Sequence, residues 1–413
     1  MQRITRRNFA GLTLALTGGR LSLHAAANLD ATLGASVLRH GIPACAAMAA
    51  GPGRTLYQGA FGTRDSESRT PVTSQSIFRI ASMTKAITAV AAMQLVERGK
   101  LKLDDPVGKY LPELAQLQVL DGFAADGHPI LRPAASPVLL RHLLTHTSGF
   151  AYEIWDPVMT NYSHYLAKTK TPPSRVTPLR FDPGTRWEYG YSMDWTGRLV
   201  EALSGQTLEA WFQQEILQPL GMKDTSFIMP EEKFERLVNV FERDDNGMLK
   251  DRPRKMPSPP KSFSGGGGLY ATTEDYVRFM QMILRRGKGP GDTRVLRAET
   301  VDLMAVNHIG KLSAGKLKSA APQTSSDMDL HPGHTDGFGY GFLINRAGYD
   351  HGRSAGSLAW AGIDNTFFWI DPHARMCAVI MMQFLPFCDK QAIGVLRDFE
   401  RAVYSTLKGR ETT

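Results

Sequence analysis

Cysteine is scarce in this chain of 413 residues, with Cys45, Cys377 and Cys388 the full set. The count is odd and the spacing fits no metal module, so neither a disulfide framework nor a zinc site organises the fold. Cys45 and Cys377 fall in apolar, strand-like runs, where free thiols are commonly buried. No cysteine sits at the expected signal cleavage site, which argues against a lipoprotein anchor. Long apolar runs are missing too. The stretch after Arg7 is short and broken by Gly18, Gly19 and Arg20, so it makes a poor membrane span. Acidic residues are absent from positions 1–27, where Arg3, Arg6, Arg7 and Arg20 supply half of the net charge of +8. The remainder is scattered, with no long basic run and no basic–aromatic alternation, which speaks against nucleic acid as a partner. There is no internal repeat.

Hydrophobic residues make up 42% of the chain and aromatics 9%, enough for a sizeable core. At roughly 150 residues per domain the length suits two or three domains, or one large two-lobed domain. The N-terminus reads as an export signal. Thr5-Arg6-Arg7-Asn8-Phe9 resembles the twin-arginine type, and Ala25-Ala26-Ala27 offers a small-residue cleavage site. The mature chain is then expected to begin near Asn28 and to work in the periplasm or outside the cell.

Residues 44–63 alternate as a hairpin around Gly51-Pro52-Gly53. A helix is expected from about Ser82 to Arg98, with further helices at 137–145 and 192–218. Residues 102–261 read as mainly helical with long loops. Strand-like runs return at 337–346, 357–371 and 376–384, and 389–407 reads as a closing helix. An early hairpin and late strands imply one antiparallel sheet made by both chain ends, with a helical lobe inserted between them. The polar stretch 311–335 reads as a mobile loop.

Ser82 and Lys85 are three apart, on one face of the expected helix. At a helix N-terminus, unpaired amides and the dipole favour developing negative charge. A desolvated lysine beside the serine can act as its base, and the serine would attack an ester or amide carbonyl to form an acyl-enzyme. Alone, the four-residue pattern also fits an ordinary serine near a helix cap with a solvated lysine.

The wider context resolves this. "IFRIASMTKAITAVAAMQLVERGKLKLDDPVGKYLP" resembles the nucleophile helix of the class C β-lactamase-like serine hydrolases. The likeness continues through "LLRHLLTHTSGF", "FDPGTRWEYGYSMDWTGRLVEALSG" and "SGGGGLYATTEDYVRFMQMIL" in the family's order, over nearly the whole mature chain. Within that superfamily the chain is most similar to family VIII carboxylesterases and, in the helical lobe, to statin side-chain acyltransferases.

The resemblance implies Ser82 as nucleophile and Lys85 as its base. Tyr189, after the Pro-Gly-Thr turn, takes the place of the proton-relay tyrosine. Tyr191 stands where the β-lactamase pattern has asparagine. The Lys-Thr-Gly or His-Thr-Gly triplet of β-lactamases and peptidoglycan peptidases is missing from the expected strand. Trp360-Ala361-Gly362 stands there instead, resembling the Trp-Gly-Gly of family VIII esterases. Trp360 would wall the substrate pocket, and the Ile363 amide beyond Gly362 would join that of Ser82 in an oxyanion hole. Loss of the cation points away from carboxylate-bearing lactams and toward neutral esters, unless Arg353 or His351 restores it.

Other patterns carry less. Gly352–Gly356 matches G-x-S-x-G around Ser354, but a strand-like segment follows it, not the helix of a nucleophile elbow. The histidines of "HPGH" with His351 have an unconvincing metal spacing. His142 and His146 read as structural. The glycines 265–268 lack the Gly-Lys-Ser/Thr of a phosphate loop, and the resemblance makes them a close-packing element behind the site. Thr272 and Asp275 read as a capping pair.

The expected fold is α+β: an antiparallel sheet flanked by helices (about 28–101 and 262–413) with an inserted helical lobe (about 102–261), of β-lactamase/transpeptidase type. The expected activity is hydrolysis of short-chain carboxylic esters through an acyl-enzyme on Ser82, with no cofactor, no metal and a small-molecule ester as partner. Lactam, D-amino-acid peptide or other amide hydrolysis by the same mechanism, and acyl transfer to an alcohol, are the alternatives. A non-catalytic wall-binding homologue fits less well, since binding alone does not require Ser82, Lys85 and Tyr189 together.

Overall fold

The structure, a computed structural model, describes residues 23–172, 176–244 and 246–408. The expected export segment therefore lies outside the described residues up to position 22, while Ala25–Ala27 belong to the first helix, α1 (Leu23–Arg39).

Seven strands form the central sheet: β1 (Ala44–Gly51), β2 (Arg54–Gly62), β3 (Gly337–Phe338), β4 (Leu343–Ile344), β5 (Leu358–Gly362), β6 (Thr366–Asp371) and β7 (Met376–Met382). Their order is β3-β4-β5-β6-β7-β1-β2, every pair antiparallel. Both ends of the chain thus build one sheet, as the sequence pattern implied. β1 and β7 lie side by side with Ala47 opposite Ile380, and both are buried along their whole length. Their unbroken apolar sequences reflect cover on both faces, where a half-exposed strand would alternate.

Adjacent side chains on β6 identify the two covers. The Phe368 ring meets Tyr276 of the helix α4 (Thr273–Leu284), and the Trp369 ring meets Phe399 of the closing helix α5 (Lys390–Lys408). Successive strand residues point to opposite faces, so α4 and α5 sandwich the sheet. α1 packs beside α5, with Ser36 Oγ donating to Asp398 (2.6 Å), and Leu29, Leu33 and Val37 on α1 are buried.

The helix α2 (Thr84–Glu97) is buried from Thr84 to Leu95 on all sides. Its polar side chains are therefore satisfied internally. Thr88 donates to the Gly265 carbonyl (2.7 Å), and Gln94 donates to the carbonyls of Glu215 and Val295 while accepting from Trp211 Nε1. α3 (Ser192–Ser204) packs on α2.

Four expectations change. The helix expected over 192–218 breaks at Gly205, which closes α3 in the left-handed conformation, and restarts at Leu208 with Thr207 as its cap. The segment 102–261 is less helical than expected and includes a hairpin of Gln118–Phe123 with Pro129–Pro133. Within 311–335, Lys316–Leu317 pairs with Met328–Asp329, and this strap is clipped down by the bond from Ser326 N–H to the Phe387 carbonyl (2.8 Å). Thr272 does cap α4, accepting from Asp275 N–H at 3.2 Å, but the Asp275 carboxylate turns to Asp224 N–H and Thr225 Oγ1 instead of back to the cap.

Candidate active site

A 3₁₀ turn, Ala81–Met83, presents Ser82 at the start of α2. Ala81, just before it, has φ +43°, a left-handed conformation uncommon for a residue with a Cβ. Surrounding contacts hold this strained turn: Ile80 N–H donates to the Leu269 carbonyl (3.0 Å) and Tyr276 OH donates to the Met83 carbonyl (2.9 Å).

Helical spacing brings Lys85 Nζ to 3.1 Å from Ser82 Oγ. The lysine is buried and has two other acceptors, the Gly266 carbonyl at 2.6 Å and Tyr152 OH at 3.3 Å. Tyr152 OH in turn donates to Asp194 Oδ2 (3.2 Å), and Asp194 Oδ1 accepts from Ser264 Oγ. Burial first, and Asp194 second, push the Tyr152 hydroxyl well above the ordinary tyrosine range, so it stays protonated. The glycines 265–268 admit this close packing. A Cβ on Gly266 would lie 2.2 Å from Asp194 Oδ2, and one on Gly265 would lie 2.3 Å from the Met193 carbonyl.

Tyr189 is buried beside the pair, its ring centroid 4.8 Å from Lys85 Nζ. Its hydroxyl accepts from Trp360 Nε1 at 3.3 Å and makes no direct hydrogen bond to Ser82 or Lys85. Trp360 is opposite Phe368 on β5 and β6, and Gly362 ends β5 against the nucleophile turn. A Cβ on Gly362 would lie 2.4 Å from the Ile80 carbonyl, so this position requires glycine. Ile363 lines the site on both sides of Ser82.

Two spaces meet at Ser82. One is a narrow apolar pocket walled by Trp155, Leu317, Met328, Leu330, Trp360 and Phe387, with room for about one water molecule. The other is an open cleft of about 490 Å³ whose walls include Arg79, Tyr191, Asp194, Ser264 and Tyr270. A larger groove, lined by Leu117, Leu131 and Tyr162 among others, shares no residue with Ser82's surroundings.

His146 stacks behind the site, 4.9 Å from the Tyr189 ring and 6.4 Å from Trp360. Burial and the Lys85 charge hold it far below the usual imidazole range, so it is neutral and acts as packing. Tyr191, in place of asparagine, packs edge-on against Tyr152 (4.3 Å) and donates to Glu153 (2.7 Å).

Arg353 does not restore the missing cation. Its guanidinium forms a buried pair with Glu400 (2.9 Å) over the Trp369 ring, on the sheet face opposite Phe368 and Trp360. Arg79 is instead the cation on the cleft, part exposed, with Nε 3.5 Å from the buried Asp364. Ser354 lies in a turn leading into β5, its N–H bound to Asp371 (2.8 Å). His331 pairs with Asp336 (2.6 Å), and among the described residues no cluster of three or more His, Cys, Asp or Glu is arranged for a metal. The three cysteines are buried and free.

Sequence reading missed Tyr152, Asp194, Trp155 and Arg79. Arg79 alone had a local signal, its place three residues before the serine.

The chain matches the beta-lactamase family over residues 25–397. It is 30% identical over 402 residues to ML-236A carboxylate methylbutanoyltransferase of Penicillium citrinum, covering 93% of this chain and 95% of that one. Lovastatin esterase of Penicillium rubens is 31% identical over 379 residues, covering 87% and 94%. Unliganded simvastatin synthase from Aspergillus terreus superposes with a TM-score of 0.79 at 29% identity, over 93% of this chain and 99% of that one. The chain therefore belongs to the beta-lactamase family, on the branch of the fold that holds serine hydrolases and acyltransferases.

Proposed function

We propose that this member of the beta-lactamase family is an acyl-enzyme acyltransferase that also hydrolyses esters. Ser82 would take an acyl group from an ester and pass it to an alcohol, with water as the competing acceptor. The observation that carries the reading is the 3.1 Å contact of Lys85 Nζ with Ser82 Oγ, set between an apolar pocket and an open cleft with Arg79 on its wall. Hydrolysis of short-chain esters is the simpler reading of the sequence. The relatives' own activities, methylbutanoyl transfer in one and lovastatin ester cleavage in another, favour an enzyme that partitions its acyl group.

The steps follow from the residues. Lys85 accepts the Ser82 proton as Oγ attacks the carbonyl carbon. The amides of Ser82 and Ile363 receive the oxyanion; the first lies in a starting helical turn, where N–H groups lack intrahelical partners. Trp360 Nε1 can only donate, so the Tyr189 oxygen accepts there and its own hydrogen stays available for the departing alkoxide. The departing alkoxide, held by the Tyr189 hydroxyl, takes the proton from Lys85 and leaves as the alcohol, which makes Lys85 neutral again; the acyl chain stays on Ser82, its tail against Trp155, Leu330 and Trp360. A second alcohol enters from the cleft, gives its proton to the now neutral Lys85 and attacks the acyl carbon; collapse of the second tetrahedral intermediate breaks the ester bond to Oγ, and Lys85 returns that proton to Ser82.

Arg79 supports an acceptor that carries a carboxylate, since its guanidinium is the cation lining the cleft. The test is p-nitrophenyl butyrate as donor with rising concentrations of an alcohol acceptor, products being separated by mass. Butyryl ester of the acceptor should accumulate at the expense of butyrate. Butyrate alone at every acceptor concentration would restrict the enzyme to hydrolysis, and fast turnover of a chromogenic cephalosporin would make it a lactamase.

A further inference from the structure

We propose that Asp194 is a positioning residue that aims the Lys85 lone pair at Ser82. This rests on the acyl-enzyme reading above. The argument starts from hydrogen-bond roles. An amine able to take a proton keeps two hydrogens and one lone pair, and Lys85 Nζ has three polar neighbours within bonding distance: the Gly266 carbonyl, Tyr152 OH and Ser82 Oγ. The carbonyl can only accept. If Tyr152 also accepts, both hydrogens are committed and the lone pair faces Ser82. If Tyr152 donates instead, the lone pair faces Tyr152 and the amine offers a hydrogen to the nucleophile it must deprotonate.

Asp194 decides between these two arrangements. An ionised carboxylate only accepts, so Tyr152 must donate to it, across 3.2 Å, which leaves the Tyr152 oxygen as an acceptor toward Lys85. The other carboxylate oxygen accepts from Ser264 Oγ, and Ser264 Oγ accepts from Gly266 N–H at 3.1 Å. Asp194 therefore anchors both acceptors of Lys85, one directly and one through Ser264 and the Gly266 peptide. The five residues close a ring: Lys85, Tyr152, Asp194, Ser264 and Gly266. Glycine at 266 is part of the device, because any Cβ there would strike the carboxylate at 2.2 Å. Tyr191, edge-on at 4.3 Å and tied to Glu153, braces the Tyr152 ring from outside the ring of bonds. Asp194 itself lies in the first turn of α3, where a negative charge is favoured by the helix dipole.

The test is steady-state ester turnover by wild type, Asp194→Ala, Asp194→Asn, Tyr152→Phe, the double variant Asp194→Ala/Tyr152→Phe, and Ser82→Ala, each checked for an unchanged melting profile. Asp194→Ala should lower kcat by roughly a hundredfold, the lower end for a mispositioned general base, with KM within about twofold. Asp194→Asn retains one acceptor oxygen and should recover part of that loss. Tyr152→Phe removes a single oxygen from a packed ring and should also lower kcat without raising KM. The double variant should fall no further than Asp194→Ala, because the two residues act as one unit. An Asp194→Ala kcat within twofold of wild type, or single losses that multiply in the double variant, would overturn the proposal while leaving Ser82 as nucleophile. Turnover surviving in Ser82→Ala would overturn the acyl-enzyme reading and this inference together.

Discussion

Glu188 precedes Tyr189 in the site turn and gives the protein a pH-dependent stability that can be worked out in advance. Its side chain is 19% exposed, and its ion-pair partner is Arg186 at 3.8 Å. Burial raises its carboxyl from the ordinary 4.5 to about 7, against the opposing pull of Arg186. A carboxyl whose folded value is raised favours the folded state at low pH. Below 4.5 the group is neutral in both states. Between 4.5 and 7 it ionises only in the unfolded chain, so stability falls as pH rises through that window and levels off above it. At about 1.4 kcal/mol per unit, the full effect is on the order of 3 kcal/mol. Glu188→Gln removes the ionisation while keeping the shape. Denaturant unfolding at pH 5 and pH 8 should show a large drop in wild type and a much smaller one in the variant. Asp275, raised to about 6 mainly by burial, acts in the same direction but is common to both proteins. Equal pH dependence in the two proteins would refute the reasoning.

Three further expectations concern substrate and processing. Met328→Ala and Leu330→Ala remove apolar walls from a pocket with room for only about one water molecule, so kcat/KM for longer acyl esters should rise relative to butyrate, by roughly tenfold; an unchanged chain-length profile would place the acyl group elsewhere. Arg79→Met should raise KM roughly tenfold for a carboxylate-bearing alcohol acceptor and leave a neutral alcohol unaffected, measured as transfer product against acceptor concentration; equal effects on both would remove Arg79 from acceptor recognition. We propose that the N-terminal segment is a cleaved export signal: N-terminal sequencing of protein recovered from the periplasm or medium should begin near Asn28, a cut that spares the packed side of α1 from Leu29 onward; recovered protein retaining Arg6-Arg7 would contradict cleavage.

Local patterns explain which parts were legible in the sequence. The hairpin, the buried strands and the closing helix each carry their period within one segment, and Ser82 and Lys85 are one helical turn apart. The ring around Lys85 has no such pattern: Tyr152 is 67 positions away and Gly266 is 181. Asp194 reads as an ordinary acidic residue in a helical first turn, and its role appears only when the glycine loop packs against α3. The strap over the apolar pocket is hidden because its paired strands are two residues long, and the polar residues between them mask Leu317, Met328 and Leu330. The expected single helix over 192–218 failed at Gly205, where a left-handed cap outweighs a continuing apolar pattern. The Arg353 alternative failed for a topological reason, since a one-residue step along β6 separates the two faces of the sheet.

The most direct test of the central claim is the intact mass of the protein after brief mixing with p-nitrophenyl butyrate, for wild type and Ser82→Ala, followed by peptide mapping. The account predicts one added butyryl group in wild type, located on Ser82, lost on adding an alcohol acceptor and never formed in Ser82→Ala. A butyryl group on another residue, or ester turnover undiminished in Ser82→Ala, would contradict it.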